Sequence, residues 1–404
     1  MRRVTSKKCC FRNVSYPDVN YMIKKIKFIN ATLDDNVHEM VDSSLIVAFA
    51  QKMPVEVFFL NRRAIIIEGL IKKSFPLNNI RFHSLHNIRK SGAIKDFIAA
   101  VMEFYILLFS GNHETLYVFS YANMFSRYLI NFGSKLFGKK VLVCTHSELE
   151  TVVTCKSKGS CYWDKLMGGF YYKELAPMLR IMVMGENILN ELKTHIPEKN
   201  TNKFFSLIHP YYHTTKPVSK ILISEDIHIG VVGIISKSVQ RGFNNLLSFV
   251  SFLEKSGNMK LHIISRIDNE LRQDLPQSVI VENPTGRYLP KEEYENLIQQ
   301  MDYLYYPYPK EAFKLTASGA IFESIANLRP PLMYSNDYFL SLTKEYGNFG
   351  IFIDQLLCEK LIGVISDKNN YKRMCDVLSD FSNKISPTNL SENLYKKIYE
   401  TYVY

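Results

Sequence analysis

Short, continuous apolar runs alternate along the chain with longer segments whose apolar positions recur at helical spacing. In the first half the runs are Ile26–Asn30, Val55–Leu60, Ile80–His83, Thr115–Ser120, Val141–Thr145 and Met182–Met184. Periodic segments lie between them at Glu39–Gln51, Ile94–Ser110, Asn123–Phe137 and Asn187–His195. Strands that lack polar alternation are buried on both faces, which predicts a parallel sheet with helices on either side. The rhythm breaks at Ile208–Pro217, where two prolines and a polar run predict an interdomain linker. It resumes with strands at Ile227–Ile235, Lys260–Ser265, Val279–Glu282, Tyr303–Pro307 and Pro331–Tyr334. Helices are predicted between them at Asn244–Glu254, Lys291–Gln300 and Ser318–Asn327. The chain thus divides into an α/β domain at 1–215, a second at 216–386, and a terminal helix at 387–404 that crosses back to the first. Ligands of open parallel sheets bind beyond the carboxyl ends of the strands, so two such domains face each other across a cleft.

Composition narrows the class. Of 404 residues 47% are apolar and 22% charged, which fits a globular chain and not a disordered one. The seven cysteines are scattered without a CxxC pair or zinc spacing, so neither a disulfide framework nor structural zinc is expected. The most apolar stretch, Phe97–Ser110, is too short to span a bilayer and carries Glu103; it predicts a buried core helix. The basic N-terminus is followed by no apolar run, so no secretory signal is expected and the chain reads as soluble and cytoplasmic.

Charge changes the picture further. Residues 1–215 hold 29 Lys/Arg against 17 Asp/Glu, whereas residues 216–404 hold 21 against 22. Such asymmetry points to an anionic partner for the first half, whether a membrane surface, nucleic acid or a phosphorylated acceptor; a Lys-rich solvated surface accounts for it equally. Arg62, Arg63, Lys72, Lys73, Arg89 and Lys90, on or beside helices, are the candidate contacts for an anionic membrane at the inner face of the cell.

Two segments of the second half carry candidate chemistry. Gly233–Phe243 closes that domain's first strand and opens a helix, and it holds Lys237, Arg241 and Gly242. Backbone N–H groups at a helix start favour a phosphate, and Arg241 can make a bidentate contact to it. Neither GxGxxG nor a P-loop is present, and an ordinary loop with surface cations is the alternative. Tyr308–Glu323 follows another strand. Thr316 or Ser318 is placed to cap the next helix, Ser318-Gly319 lets a ligand approach the backbone, and the Glu323 carboxylate can accept from paired ribose hydroxyls. Two such helix starts at one sheet edge would bracket a diphosphate, which makes a nucleotide-sugar site.

On these residues the second half resembles the C-terminal domain of GT-B glycosyltransferases of the family 4-like group. The matching stretches are Gly233…Arg241-Gly242-Phe243-Asn244-Asn245-Leu246-Leu247, then Ile263-Ile264-Ser265-Arg266, then Tyr288-Leu289-Pro290…Tyr294…Met301-Asp302-Tyr303, and Phe322-Glu323-Ser324-Ile325-Ala326…Arg329-Pro330-Pro331-Leu332. The resemblance implies two Rossmann-like domains and a nucleotide diphosphate sugar as co-substrate, with no other cofactor. It implies a diphosphate held by Lys237, Arg241, Gly242, Arg266, Thr316, Ser318 and Gly319, and a ribose and base held by Glu323 and Tyr288. The family's E-x7-E pattern would place an acid, which contacts the transferred sugar in retaining members, at position 315; this chain has Leu315, with Lys310, Glu311 and Lys314 nearby.

In the first half, Val141–Glu148 resembles the family strand that ends in a His near the transferred sugar. His146 there is the candidate catalytic residue, positioning or deprotonating an acceptor hydroxyl; a structural histidine is the alternative. Asp34 and Asp35 are loop acids with the same option. No DxD occurs, and the histidines lack ligand spacing, so no metal is implied. The function so implied is transfer of a sugar from a nucleotide diphosphate sugar to a glycan or lipid-linked acceptor, in surface polysaccharide or glycoconjugate synthesis. A catalytically silent scaffold or partner subunit is the alternative kept open by Leu315. A nucleic-acid-binding protein is a further one, but no module with aromatics among Lys/Arg supports it.

Overall fold

A computed structural model describes residues 23–34, 38–157, 159–212, 226–235, 242–255, 257–264, 266–286, 289–356 and 358–403. Seven strands form the first sheet: β1 (Lys25–Asn30), β2 (Val55–Leu60), β3 (Ile80–Leu85), β4 (Thr115–Phe119), β5 (Lys140–Cys144), β6 (Leu179–Val183) and β7 (Phe204–Ser206), in the order β3-β2-β1-β4-β5-β6-β7. All pairings are parallel, with Phe28 opposite Val57 on one side and Val118 on the other. The central strands β4 and β5 are wholly buried, being apolar at every position after their first residues Thr115 and Lys140, and the two faces of the sheet supply two cores. Phe28, Val57 and Phe59 pack with Leu45 and Phe49 on one face; Ile29, Tyr117 and Phe119 pack with Leu107 and Ile130 on the other.

The second sheet uses β8 (Ile227–Val231), β10 (Met259–Ile263), β12 (Ile280–Val281), β13 (Tyr303–Tyr306), β14 (Pro331–Met333) and β15 (Ile351–Phe352), in the order β12-β10-β8-β13-β14-β15 and again parallel. The single run predicted at Ile227–Ile235 is broken. Gly233 turns the chain with φ 90, and β9 (Ile234–Ile235) pairs instead with β11 (Arg266–Ile267) in a two-stranded sheet. A Cβ at Gly233 would lie 2.5 Å from the Tyr308 hydroxyl, so the turn requires glycine.

The terminal Pro387–Val403 helix lies on the first sheet's side of the molecule. There the Ser391 hydroxyl donates to Ala48 O (2.8 Å), Tyr395 to Phe49 O (2.7 Å) and Tyr402 to Val141 O (2.6 Å).

Two expectations are corrected. The helix over the most apolar stretch, Gly92–Phe109, is not a buried core helix: Ala99, Ala100, Glu103, Ile106 and Leu107 face the sheet, while Phe97, Val101, Tyr105 and Phe109 are exposed. Neither Thr316 nor Ser318 caps the next helix, which starts later, at Ile321, after Ala320 and without a side-chain cap. Among the described residues no helix is long and apolar enough to cross a membrane.

Candidate active site

The carboxyl edge of the first sheet is built from polar residues that terminate apolar strands. Asn30, at the end of β1, donates to the Ser120 hydroxyl (3.0 Å) and accepts from the Thr32 and Leu33 amides, which turns the chain away from the sheet. Ser120 in turn donates to Asp42 Oδ2 (3.1 Å), which also accepts from Arg63 Nη2 at 2.6 Å. This pair is fully buried. Arg63 therefore ties a helix to the strand ends and is no membrane contact, which corrects that part of the basic cluster.

His146 lies just beyond β5 and is almost completely buried. Its Nε2 sits 2.9 Å from the Ser120 carbonyl, which can only accept, so Nε2 carries a proton and Nδ1 is the ring nitrogen left to offer a lone pair. Its backbone N–H donates to Glu148 Oε2 (2.8 Å), and Glu148 Oε1 is held by the buried Arg127 at 2.7 Å. The His38 ring stacks on His146 with centroids 4.2 Å apart. Burial, then the charges of His146, His209 and Arg63, push the His38 pKa down to about 2; burial, then His146, pushes His209 down to about 3. Both rings are neutral near neutral pH.

At the second sheet, Gly242 (φ 65) opens the Phe243–Leu253 helix; a Cβ there would fall 1.6 Å from the Pro307 carbonyl oxygen. The helix start is thus pressed against the chain leaving β13. The loop after β13 carries Leu315 and Thr316, whose backbone N–H (3.2 Å) and hydroxyl (3.0 Å) both donate to Glu150 Oε1 of the first domain. Leu315 itself is buried. Among the described residues the buried Ser318 hydroxyl has no hydrogen-bond partner, and a Cβ at Gly319 would meet none of them within 4 Å.

Glu323 accepts from the Tyr211 hydroxyl at 2.6 Å and pairs with Lys291 at 3.4 Å, while Asn327 reaches its Oε2 at 3.4 Å. Burial alone would lower the Lys291 pKa, but Glu323 and Glu295 beside it raise it, so the ammonium persists. His209 stacks on Phe322 with centroids 4.4 Å apart. Loops from both carboxyl edges therefore converge on one cleft.

The same arrangement of the chain recurs in solved structures. Sucrose-phosphate synthase from Thermosynechococcus elongatus matches 93% of this chain and 99% of its own, at TM-score 0.63 and 12% identity. Anabaena Alr3699/HepE, solved in complex with UDP and glucose, matches 93% and 99% at TM-score 0.62 and 10% identity. WaaG, a glycosyltransferase involved in lipopolysaccharide biosynthesis, matches 93% and 99% at TM-score 0.58 and 11% identity. This chain adopts the GT-B fold. No protein-family model matches its sequence, and no curated protein does.

Of the residues singled out in the sequence, His146 follows β5 of the first sheet, Thr316, Ser318 and Gly319 lie on the loop after β13 of the second, and Glu323 lies in the first turn of the Ile321–Asn327 helix that follows. Arg266 stands two strands away, at the β10 end of the second sheet, lining a cavity of about 510 Å³ with Asp268, Asn269, Glu270, Thr285 and Gly286. Lys237, Arg241 and Tyr288 lie outside the described residues, as does Asp35. Asp34 pairs with Lys95 at 3.0 Å near the domain surface. Sequence reasoning missed Glu150, Tyr211, Lys291, His38 and His209. For Glu150 a signal existed, since two acids follow His146 closely, but spacing cannot tell which of them faces the other domain. Tyr211 sat inside the predicted linker, and nothing marked its hydroxyl for Glu323.

Proposed function

We propose that this protein is a glycosyltransferase that moves a sugar from a nucleotide diphosphate sugar to a glycan or lipid-linked acceptor, in surface polysaccharide or glycoconjugate synthesis. The observation that carries the reading is the contact of Glu150, beyond the carboxyl edge of one parallel sheet, with Leu315 and Thr316 beyond that of the other, together with the Tyr211 hydroxyl on Glu323. Similarity in fold to a protein solved with UDP and glucose supports a nucleotide sugar as the ligand class. The second domain is the donor side. Glu323 Oε2, the less engaged of its oxygens, accepts from ribose hydroxyls; the Ser318-Gly319 segment holds the diphosphate beside Thr316, whose hydroxyl is engaged by Glu150, with Lys237 and Arg241 as cations and Arg266 and Tyr288 toward the base. Lys310, Glu311 and Lys314 adjoin that segment in sequence.

The first domain is the acceptor side. His146 offers its Nδ1 lone pair to an acceptor hydroxyl, and the Ser120 carbonyl fixes the tautomer. Glu150 supplies the carboxylate missing at position 315: its Oε1 already lies on the Leu315 amide, and its Oε2 is engaged by none of the described residues. No metal is assigned a role. A catalytically silent partner subunit is the second reading, favoured by Leu315 in place of an acid.

Differential scanning with a panel of nucleotide sugars, followed by product analysis, tests both. A ligand at a hundred times its Kd stabilises by about 2.7 kcal/mol, an easily read shift. Stabilisation by one nucleotide sugar together with its turnover supports the enzyme; stabilisation without turnover over any acceptor supports the silent subunit; no stabilisation by any overturns the site. Turnover that stops with a chelator and returns with a divalent ion would overturn the metal-free assignment.

A further inference from the structure

Among the described residues, ten of the fifteen large apolar side chains that stand most exposed lie on three helices of the first domain. On Gly92–Phe109 they are Ile94, Phe97, Val101, Tyr105 and Phe109, spaced by three, four, four and four residues, so they form one stripe opposite the face that packs on the sheet. Phe109 is 72% exposed. The charge inside this apolar stretch, Glu103, points the other way and accepts from the Ala31 amide at 2.9 Å. A helix that is apolar on its solvent face as well as its core face is completed by something outside the domain.

The stripe does not stand alone. Phe132, Leu136 and Phe137 are exposed on the neighbouring Met124–Phe137 helix, and Tyr162 and Trp163 on the Tyr162–Gly169 helix. Ring contacts make the surface continuous: Phe97 meets Phe125 at 5.8 Å, Phe125 meets Trp163 at 6.2 Å, and Phe104 meets Phe132 at 6.4 Å. Cations border it. Arg89 and Lys90 are exposed immediately ahead of the first helix and Lys165 in the third, while Lys135, in the last turn of the second, pairs with Glu174 at 3.6 Å.

We propose that this face docks on an anionic lipid bilayer. Tyr and Trp with aliphatic neighbours and a basic border suit the headgroup level of a membrane, where aromatic rings insert and cations meet lipid phosphates. A second copy of the chain fits worse, because it would bring two basic borders together. The surface lies on the membrane and does not span it, as among the described residues no helix is long and apolar enough to cross one. Its Trp163 end belongs to the segment that follows His146, so a lipid-linked acceptor held in the bilayer would enter the cleft from that side. This last point rests on the glycosyltransferase reading; the docking does not.

Trp163 is the only tryptophan in the chain, so its fluorescence reports on this face alone. The full-length protein is mixed, without nucleotide, with vesicles of phosphatidylcholine or of phosphatidylcholine plus phosphatidylglycerol. Docking predicts co-sedimentation with the anionic vesicles, a blue shift of Trp163 emission on binding, and weakening by salt. Phe109→Ser with Phe132→Ser should reduce vesicle binding by about tenfold or more, since exposed rings can be removed without opening the core. Arg89→Glu with Lys90→Glu should bring anionic-vesicle binding down to the level on phosphatidylcholine alone. No sedimentation and unchanged emission overturn the proposal. A doubled mass in solution that the Phe109/Phe132 variant abolishes overturns it in favour of a second copy. Failure of nucleotide binding would leave these outcomes untouched, so the two readings fail separately.

Discussion

Glu150 is a single carboxylate spanning two domains, and its two donors on the far side are a backbone amide and a hydroxyl. Hydrogen bonds to a charged group contribute about 1.5–3 kcal/mol each. If Glu150 contacts the transferred sugar, Glu150→Ala should weaken binding of the nucleotide sugar by about tenfold or more while sparing the nucleoside diphosphate. Calorimetry with both ligands separates the cases, and an equal loss for both, or for neither, returns Glu150 to a plain tie between domains. His146 makes a different prediction. Its protonated Nε2 is spoken for by the Ser120 carbonyl, so only Nδ1 can take a proton. His146→Ala should lower turnover by about 10²–10⁴-fold with donor affinity retained. A variant that turns over at the wild-type rate would make the ring purely structural.

Among the elements, the Phe243–Leu253 helix shows how position is enforced by one missing side chain. Gly242 has φ 65, and its Cα faces the Pro307 carbonyl so closely that a Cβ would sit 1.6 Å from the oxygen. Alanine there adds left-handed strain of about 1–2 kcal/mol to overpacking of about 1–3 kcal/mol. Gly242→Ala should therefore lower the melting temperature of the second domain and weaken nucleotide binding, because the helix must back away from the edge of β13. An unchanged melting curve would mean that the loop absorbs the methyl without moving the helix. The Gly92–Phe109 helix teaches the converse. Its sequence is apolar enough to read as core, yet only half of it is covered.

For the whole molecule, the cleft holds neutral histidines between charged walls. His38 and His209 have pKa values pushed from 6.5 down to about 2 and about 3, chiefly by burial. Between those values and 6.5 the unfolded chain binds more protons than the folded one. Stability is therefore complete above pH 6.5 and falls as the pH drops through that window, by up to about 1.4 kcal/mol per pH unit for each group. Denaturant midpoints measured from pH 7 to pH 4 should decline steadily, and His209→Phe should flatten the decline; a pH-independent midpoint across that range would show that neither ring is buried neutral.

The alternation of apolar runs and periodic segments was enough to determine two parallel α/β domains, since a strand that is apolar throughout can only be covered on both faces. It located the polar strand ends at His146 and the loop before Glu323, because those residues interrupt apolar runs at the points where ligands of such sheets bind. Short elements escaped it: β7 and β15, of three and two residues, hold too little pattern to stand out. Tertiary structure alone decided the rest. Arg63, Arg89 and Lys90 read alike in sequence, but one is buried against Asp42 and the others are exposed. Position 315 reads as the loss of an acid, whereas in space Glu150 arrives at its amide from 165 residues away. Periodicity records which residues share a face, and only the packing of neighbours determines whether that face meets the core, the other domain or the outside.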